Sequence, residues 1–435
     1  MSNEYLLVKK SPPLSGTVEL VGAKNAVLVI CTSLILTNGI SILENVPNSA
    51  DVLLMIKLLE DLGAGVTFEP EKKLLTVDTR TICKFEVKQE IMNKMRASIL
   101  VAGPLLARFG KAKVAFPGGC LIGARPIDYH LSGFKKMGAF IETHDCFIDL
   151  TLKPYQELPK LTRLVLEYPS VGATENLMML AALNKGETEI VNAAIEPEVL
   201  DLIDILTRMG AKIDCSQGQI IKIKGVDKLN PVRHYIIPDR IEAGALLLAA
   251  AITGGSVTIP DARADHMDLF LEKLRAMGHK VITGTHATHD NPHRGITLTA
   301  TTTPQAVSFK TGQYPCFPTD IQAPMMSILS VANGTSLIEE TVYENRLIHI
   351  KELQKMGAQI TRDGNTKATI RGVDALYGTE VIATDIRASC ALVLAGLVAQ
   401  GQTKITGIHH WRRGYDKLEH KLVAMGALIE VVEEL

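Results

Sequence analysis

The chain has 435 residues, 46 basic against 47 acidic, with 46% hydrophobic residues and seven cysteines. That balance, with no basic block or aromatic-rich stripe, excludes nucleic-acid binding through a charged face, and no apolar run reaches the ~20 residues that span a bilayer. An odd number of cysteines, without a C-x-x-C pair or histidines at zinc-like spacing, argues for free thiols and against a structural metal.

The opening MSNEYLLVKK lacks a charged segment running into an apolar one, so a cytoplasmic protein is expected. Downstream a phrase recurs: a leucine or phenylalanine, a few residues, then Leu-Gly or Met-Gly entering a strand-like stretch. Its glycines are Gly63, Gly138, Gly210, Gly278, Gly357 and Gly426, spaced 68 to 79 residues apart. A fixed phrase at a fixed period marks one supersecondary unit repeated. The glycine supplies a left-handed residue where a helix closes before a strand. Six nearly uncharged runs are predicted as helices over 26–38, 96–109, 174–185, 242–253, 321–333 and 387–400. Helices apolar all round are core helices. Short strands follow them, among them 114–116, 188–191, 256–259 and 403–406. A unit of ~70 residues buries too little apolar surface to stand alone. An α/β fold of two groups of three units is therefore expected, divided by chain order near 224–239. Gly103-Pro104 predicts a kink in the second helix.

Polar residues gather at the starts of these runs. Lys24 and Asn25 open the first, in GAKNA, and Arg96 opens the second, in MRAS. Ser170, Val171 and Gly172 begin the third, in SVGAT, and Asp239, Arg240 and Glu242 the fourth. Asp320 opens the fifth, in FPTDIQAP, and Asp385 and Arg387 the sixth, in TDIRAS. Free backbone N–H groups and the positive end of the helix dipole attract phosphate to such starts. Aspartate, serine and threonine at a helix start are ordinarily N-caps, and that reading is strong for Asp239 and Asp385. A cation there opposes the dipole, so Lys24 and Arg96 read as ligand contacts. PGGCLIGARPID, residues 117–128, is a glycine-dense loop that sets Cys120 five residues from Arg125; a thiol exposed beside that arginine has a lowered pKa. The other six cysteines read as inert. Near the C-terminus VYENR carries Val342 and Arg346, and HHWRRGYDK carries Arg412 and Arg413. Either segment also fits a salt-bridged surface turn. The histidine-rich tract 286–294 reads as a solvated hairpin rather than a metal site.

GAKNA, MRAS, PGGCLIGARPID, SVGAT, PDRIE, FPTDIQA, ENR, TDIRAS and RGY occur in this order over nearly the whole chain. Together they resemble the UDP-N-acetylglucosamine 1-carboxyvinyltransferases, a family of enolpyruvyl transferases. The resemblance implies two inside-out α/β barrel domains, each of three pseudo-threefold repeats, with the active site in the cleft between them. It implies domains of 24–237 and of 1–23 plus 238–435, the N-terminal stretch completing the second. The implied reaction moves the enolpyruvyl group of phosphoenolpyruvate to the 3-hydroxyl of UDP-N-acetylglucosamine through a tetrahedral intermediate, releasing phosphate, as the first committed step of peptidoglycan synthesis. By the same resemblance Lys24, Asn25, Arg125, Arg346, Arg387 and Arg413 surround phosphoenolpyruvate. Cys120 donates a proton to the methylene carbon and can form a covalent adduct, Asp320 takes the hydroxyl proton, and Asp385 supports the proton network of the intermediate. The sugar nucleotide falls to Asn25, Arg96, Arg125, Pro126, Ile127, Asp128, Tyr129, Ser170, Val171, Gly172, Asp320 and Val342. No cofactor, metal, nucleic acid or membrane is implied, and a monomer is expected. Two alternatives stand beside this reading: the sister reaction on shikimate 3-phosphate, whose family lacks the PGGC loop, and a non-catalytic paralogue that binds UDP-sugars. Arg412 stands where the family commonly has aspartate, and Tyr168-Pro169 where some members carry lysine.

Overall fold

The six repeated glycines all adopt φ between +95° and +107°, a region that side chains other than hydrogen resist. Gly63 closes the helix Ala50–Leu62 and Gly210 the helix Pro197–Met209, and in each case a strand begins two residues later. The computed structural model describes residues 3–116 and 127–434. Cys120, Arg125 and Pro126 lie outside the described residues.

The repeats yield six sheets. The third and fifth repeats run strand, core helix, strand, second helix and two further strands, and the others vary this order by borrowing or lacking a strand. The third repeat shows the pairing: Leu161–Val165 lies parallel to Glu187–Val191, which pairs antiparallel with Ile220–Lys224, which pairs in turn with Lys212–Asp214. In the second repeat Lys111–Ala115, Phe147–Leu152 and Ala139–Thr143 form the sheet, and Glu86 bridges Lys113 where the other sheets have their parallel edge strand. Strands such as Leu161–Val165 alternate exposed and buried residues, so each sheet presents one face to a core made of helices.

The described residues divide into two compact units, 22–116 with 127–237, and 3–21 with 238–434. Each has its own apolar core. Chain order alone leaves the N-terminus with the first unit, but strand pairing places it in the second. Asn3–Lys9 pairs with both Gln402–Thr406 and Leu428–Glu434, and Ser15–Thr17 edges Ser256–Arg263. The backbone N–H groups of Leu20 and Val21 then bond Asp261 and Glu242. In the first unit Arg233–Tyr235 supplies the corresponding edge to Ile40–Glu44.

The core helices are α1 (Lys24–Ser33), α2 (Ala102–Phe109), α3 (Val171–Leu183), α4 (Arg240–Thr253), α5 (Thr319–Leu329) and α6 (Ile386–Gly396). Every residue from Ile241 to Ile252 in α4 is buried, which is why the run carries a single charge. No helix among the described residues is long and apolar enough to cross a membrane. The expected helix over 96–109 is in fact two elements, a 3-10 segment Arg96–Val101 and then α2. Pro104 has no N–H for the residue 100 carbonyl, so the α ladder cannot continue backwards through it. Within the first turn of α2 that missing donor costs nothing. The break therefore falls at 101–102, before the predicted kink.

Candidate active site

In the second unit, charge concentrates at the starts of α5 and α6. Asp320 occupies the first turn of α5, where free N–H groups and the dipole favour a carboxylate. Asp385 caps α6, its Oδ1 accepting from the backbone N–H of Arg387 at 2.8 Å and of Ala388 at 3.0 Å. Arg346 comes from the turn that follows the strand Thr335–Glu339. Its Nη2 donates to Asp320 Oδ1 at 2.7 Å, while Arg387 Nη2 donates to Asp320 Oδ2 at 2.8 Å. One carboxylate is thus shared between two buried guanidiniums. Burial works against the Asp320 charge, but Arg387 and Arg346 outweigh it and hold the carboxyl well below the usual carboxylate range.

The two arginines differ in how they are satisfied. Arg387 Nη1 also donates to the buried Tyr415 hydroxyl at 3.3 Å. Arg346 Nε and Nη1 are buried with no hydrogen-bond partner among the described residues. Such donors cost stability until an acceptor reaches them. Behind Arg346, His349 Nδ1 donates to its carbonyl at 3.1 Å, and burial holds that imidazole at about 4, hence neutral near pH 7. Val342 precedes Arg346 in the same turn, and its N–H donates to Glu340 Oε1 at 2.8 Å. Arg413 lies half-buried in the short helix His409–Gly414. Arg412 joins Glu419 instead, donating to Oε1 at 2.7 Å, while Trp411 Nε1 donates to Oε2 at 2.7 Å.

In the first unit α1 begins at Lys24 without a side-chain cap. Lys24 Nζ pairs with Asp51 Oδ2 at 2.8 Å, the side chains 11% and 5% exposed. A buried carboxylate from the start of another helix thus holds the cation that opposes the dipole. Asn25 beside it is exposed. Arg96 opens the 3-10 segment near His130, whose pKa falls to about 3 through burial first and the Arg96 charge second. The amide nitrogen of Asn176 lies 3.0 Å from His130 Nδ1 and donates to the Ile99 carbonyl at 2.9 Å. Asn176 Oδ1 accepts from the Gly103 N–H at 2.7 Å, and a Cβ on Gly103 would fall 2.3 Å from the Asn176 carbonyl oxygen, so only glycine fits. Ser170 caps α3, accepting from the Ala173 N–H at 3.4 Å, and Gly172 lies against the His130 ring. Ile127 is buried, and Asp128 and Tyr129 open the helix that carries His130. Arg96, Asp128, Tyr129 and the Ser170–Gly172 turn therefore gather around one neutral histidine.

Sequence reading missed Asp51, His130, Asn176, Glu340 and Tyr415. The available signal was a polar residue inside a predicted core run for Asn176, and closeness in sequence to Arg413 for Tyr415. Of the cysteines predicted inert, Cys31 and Cys390 are buried, and burial pushes their thiols up to about 12 and about 11. Cys83, Cys146 and Cys316 are exposed, because they fall in connections between elements. Among the described residues Asp201, Asp204 and His234 have metal-ligand spacing, with His234 Nδ1 buried and without a hydrogen-bond partner. His234 Nε2 lies 2.9 Å from Asp201 Oδ1, and Arg208 Nε lies 2.9 Å from Asp204 Oδ2.

The family model described as EPSP synthase (3-phosphoshikimate 1-carboxyvinyltransferase) matches residues 8–422. UDP-N-acetylglucosamine 1-carboxyvinyltransferase 1 of Caldanaerobacter subterraneus subsp. tengcongensis is 47% identical over 425 residues, covering 97% of this chain and 98% of its own. UDP-N-acetylglucosamine 1-carboxyvinyltransferase of Finegoldia magna is 46% identical over 430 residues, covering 99% of both. The crystal structure of the enolpyruvyl transferase NikO from Streptomyces tendae aligns over 100% of both chains with a TM-score of 0.87 at 23% identity. EPSP synthase from Acinetobacter baumannii aligns over 99% of this chain and 100% of its own, with a TM-score of 0.76 at 16% identity. The fold is theirs, and the matches in sequence are full-length: the chain belongs to the enolpyruvyl transferases, in the family of the UDP-N-acetylglucosamine 1-carboxyvinyltransferases.

Proposed function

We propose that this chain transfers the enolpyruvyl group of phosphoenolpyruvate to the 3-hydroxyl of UDP-N-acetylglucosamine, with release of phosphate. The observation that carries the reading is Arg346, a buried guanidinium whose Nε and Nη1 have no partner among the described residues while Nη2 holds Asp320. Phosphoenolpyruvate is a small, multiply charged anion, and a guanidinium edge matches carboxylate or phosphate oxygens. The acceptor rests on relatives at 46–47% identity named for the sugar nucleotide.

In this reading Cys120 delivers a proton to the methylene carbon while the 3-hydroxyl oxygen bonds the adjacent carbon and Asp320 takes the hydroxyl proton. Loss of phosphate and of one methyl proton from the resulting ketal restores the double bond. Cys120, Arg125 and Pro126 stand on the sequence alone. Lys24, Asn25, Arg125, Arg346, Arg387 and Arg413 hold phosphoenolpyruvate, and one well-placed donor lowers the barrier by about 3–4 kcal/mol. Asp385 supports the proton network from the cap of α6. Asn25, Arg96, Arg125 to Tyr129, Ser170 to Gly172, Asp320 and Val342 hold the sugar nucleotide. Because the Val342 N–H is spent on Glu340, any backbone hydrogen bond from Val342 to the sugar falls to its carbonyl. The protein works as a cytoplasmic monomer.

Asp320 imposes a condition on this chemistry. A carboxylate held by two guanidiniums is a poor base, since protonation must overcome both charges. Phosphoenolpyruvate competes for the same guanidiniums. When one arginine turns to the substrate, Asp320 becomes a stronger base. The test is phosphate release from phosphoenolpyruvate with UDP-N-acetylglucosamine or shikimate 3-phosphate as acceptor. Release with the sugar nucleotide alone is expected. Release with shikimate 3-phosphate alone assigns the sister activity, and no release with either assigns a binding protein.

A further inference from the structure

We infer that Glu340 is a positioning residue for this reaction: one buried carboxylate sets the spacing between the start of α5, which carries Asp320, and the turn that carries Val342 and Arg346. The inference rests on the activity proposed above. Glu340 is 1% exposed. Its Oε2 accepts from the Thr319 hydroxyl at 2.9 Å, and its Oε1 accepts from the backbone N–H groups of Val342 at 2.8 Å and Tyr343 at 3.1 Å. Thr319 is the residue before Asp320, so the carboxylate reaches the helix start beside the expected base.

The main chain around Glu340 is anchored independently. Its own N–H donates to the Thr366 carbonyl at 2.7 Å, and the Thr341 N–H donates to Thr311 Oγ1 at 2.9 Å. Glu340 therefore acts from a fixed point. A second link between the two segments is the Arg346–Asp320 bond, and in the competition proposed above it opens when Arg346 turns to the anionic substrate. While it is open, Glu340 still fixes the distance from Asp320 to the Val342 turn. The bonds to a carboxylate are charge-assisted, and removing it strands two backbone donors.

Three variants test this: E340A, E340Q and T319V, each measured for kcat, both KM values and melting temperature, with a crystal structure of E340A. Displacing a catalytic group by ~1 Å costs on the order of 100-fold, so E340A should lose about that factor in kcat. Its KM for UDP-N-acetylglucosamine should rise more than its KM for phosphoenolpyruvate. E340Q should recover most of the turnover, because its amide oxygen keeps the two backbone bonds and the Thr319 hydroxyl can rotate to accept from the amide nitrogen. T319V should lower kcat with both KM values near wild type. The E340A crystal should show Asp320 and the Val342 turn moved apart. Wild-type kcat and KM values in E340A, with only the melting temperature lowered, would overturn the inference. So would an E340A crystal with both segments in place. Where E340A does not fold, T319V decides, and wild-type kcat there overturns it. If the wild-type protein releases no phosphate, the activity reading fails by itself, and the E340Q and T319V crystal structures decide whether Glu340 sets the spacing.

Discussion

The starts of α1 and α5 each hold a buried ion pair, but the pairs are built differently. At α1 Lys24 Nζ pairs with the Asp51 carboxylate at 2.8 Å. At α5 Asp320 serves two arginines at 2.7 and 2.8 Å. Removing either member of the buried α1 pair strips the other of an adjacent opposite charge. A shared carboxylate can release one arginine and keep the second. The arrangement at α5 is thus suited to exchange with an anionic substrate, and the bond at α1 is suited to holding a cation still.

That contrast can be broken from either side, and D320A should do the most damage. It leaves Arg346 and Arg387 buried without their common counter-charge, which should cost about 3–5 kcal/mol by denaturant unfolding and abolish turnover. The folded pKa of Asp320 is depressed, so its stabilisation is present above the ordinary carboxylate value and lost as pH falls through the depressed one. The gap between wild type and D320A should therefore close only below about pH 4. A constant gap across the acid range would separate the carboxylate charge from stability.

K24M should cost about 1–3 kcal/mol, because buried Asp51 loses the Lys24 charge beside it. Adding D51N should return the stability but not the turnover. Unchanged stability in K24M would show that the α1 pair contributes nothing to the fold. E175Q should have a smaller effect with a distinct pH signature. Burial first, then the Glu198 and Glu196 charges, raise the Glu175 pKa well above its ordinary value. A raised folded pKa gives stability that is full below the unfolded value and lost as pH rises through the folded one. The melting temperature of wild type should therefore fall relative to E175Q as pH increases. R412A should have the least effect. Arg412 is 36% exposed and Glu419 keeps its bond from Trp411, so stability should change by less than about 1 kcal/mol with turnover intact. Lost turnover in R412A would instead give this residue a part in phosphate binding.

The repeat was legible in sequence because its marks are local: a glycine that must turn left-handed, and a helix too uncharged to lie outside a core. The N-terminal strand was not legible in chain order, because Asn3–Lys9 finds its partner at Leu428–Glu434. The site divides along the same line. Cations at helix starts stood out because they defy the dipole. Asp320 could be picked out by motif, but not its clamp, whose donors lie 26 and 67 residues away. Asp51 and Glu340 look like ordinary acids at element ends until the donors that surround them are seen. Pro104 was read correctly as a disturbance, and its position in the first turn of α2 moved the break upstream.

In the proposed reaction Asp320 and phosphoenolpyruvate compete for the same two guanidiniums. The direct measurement is the dissociation constant of phosphoenolpyruvate for wild type and D320N, by calorimetry at equal ionic strength. D320N should bind it about tenfold more tightly, equivalent to about 1.4 kcal/mol released from the clamp, while losing turnover. Equal or weaker binding in a folded D320N would contradict the competition.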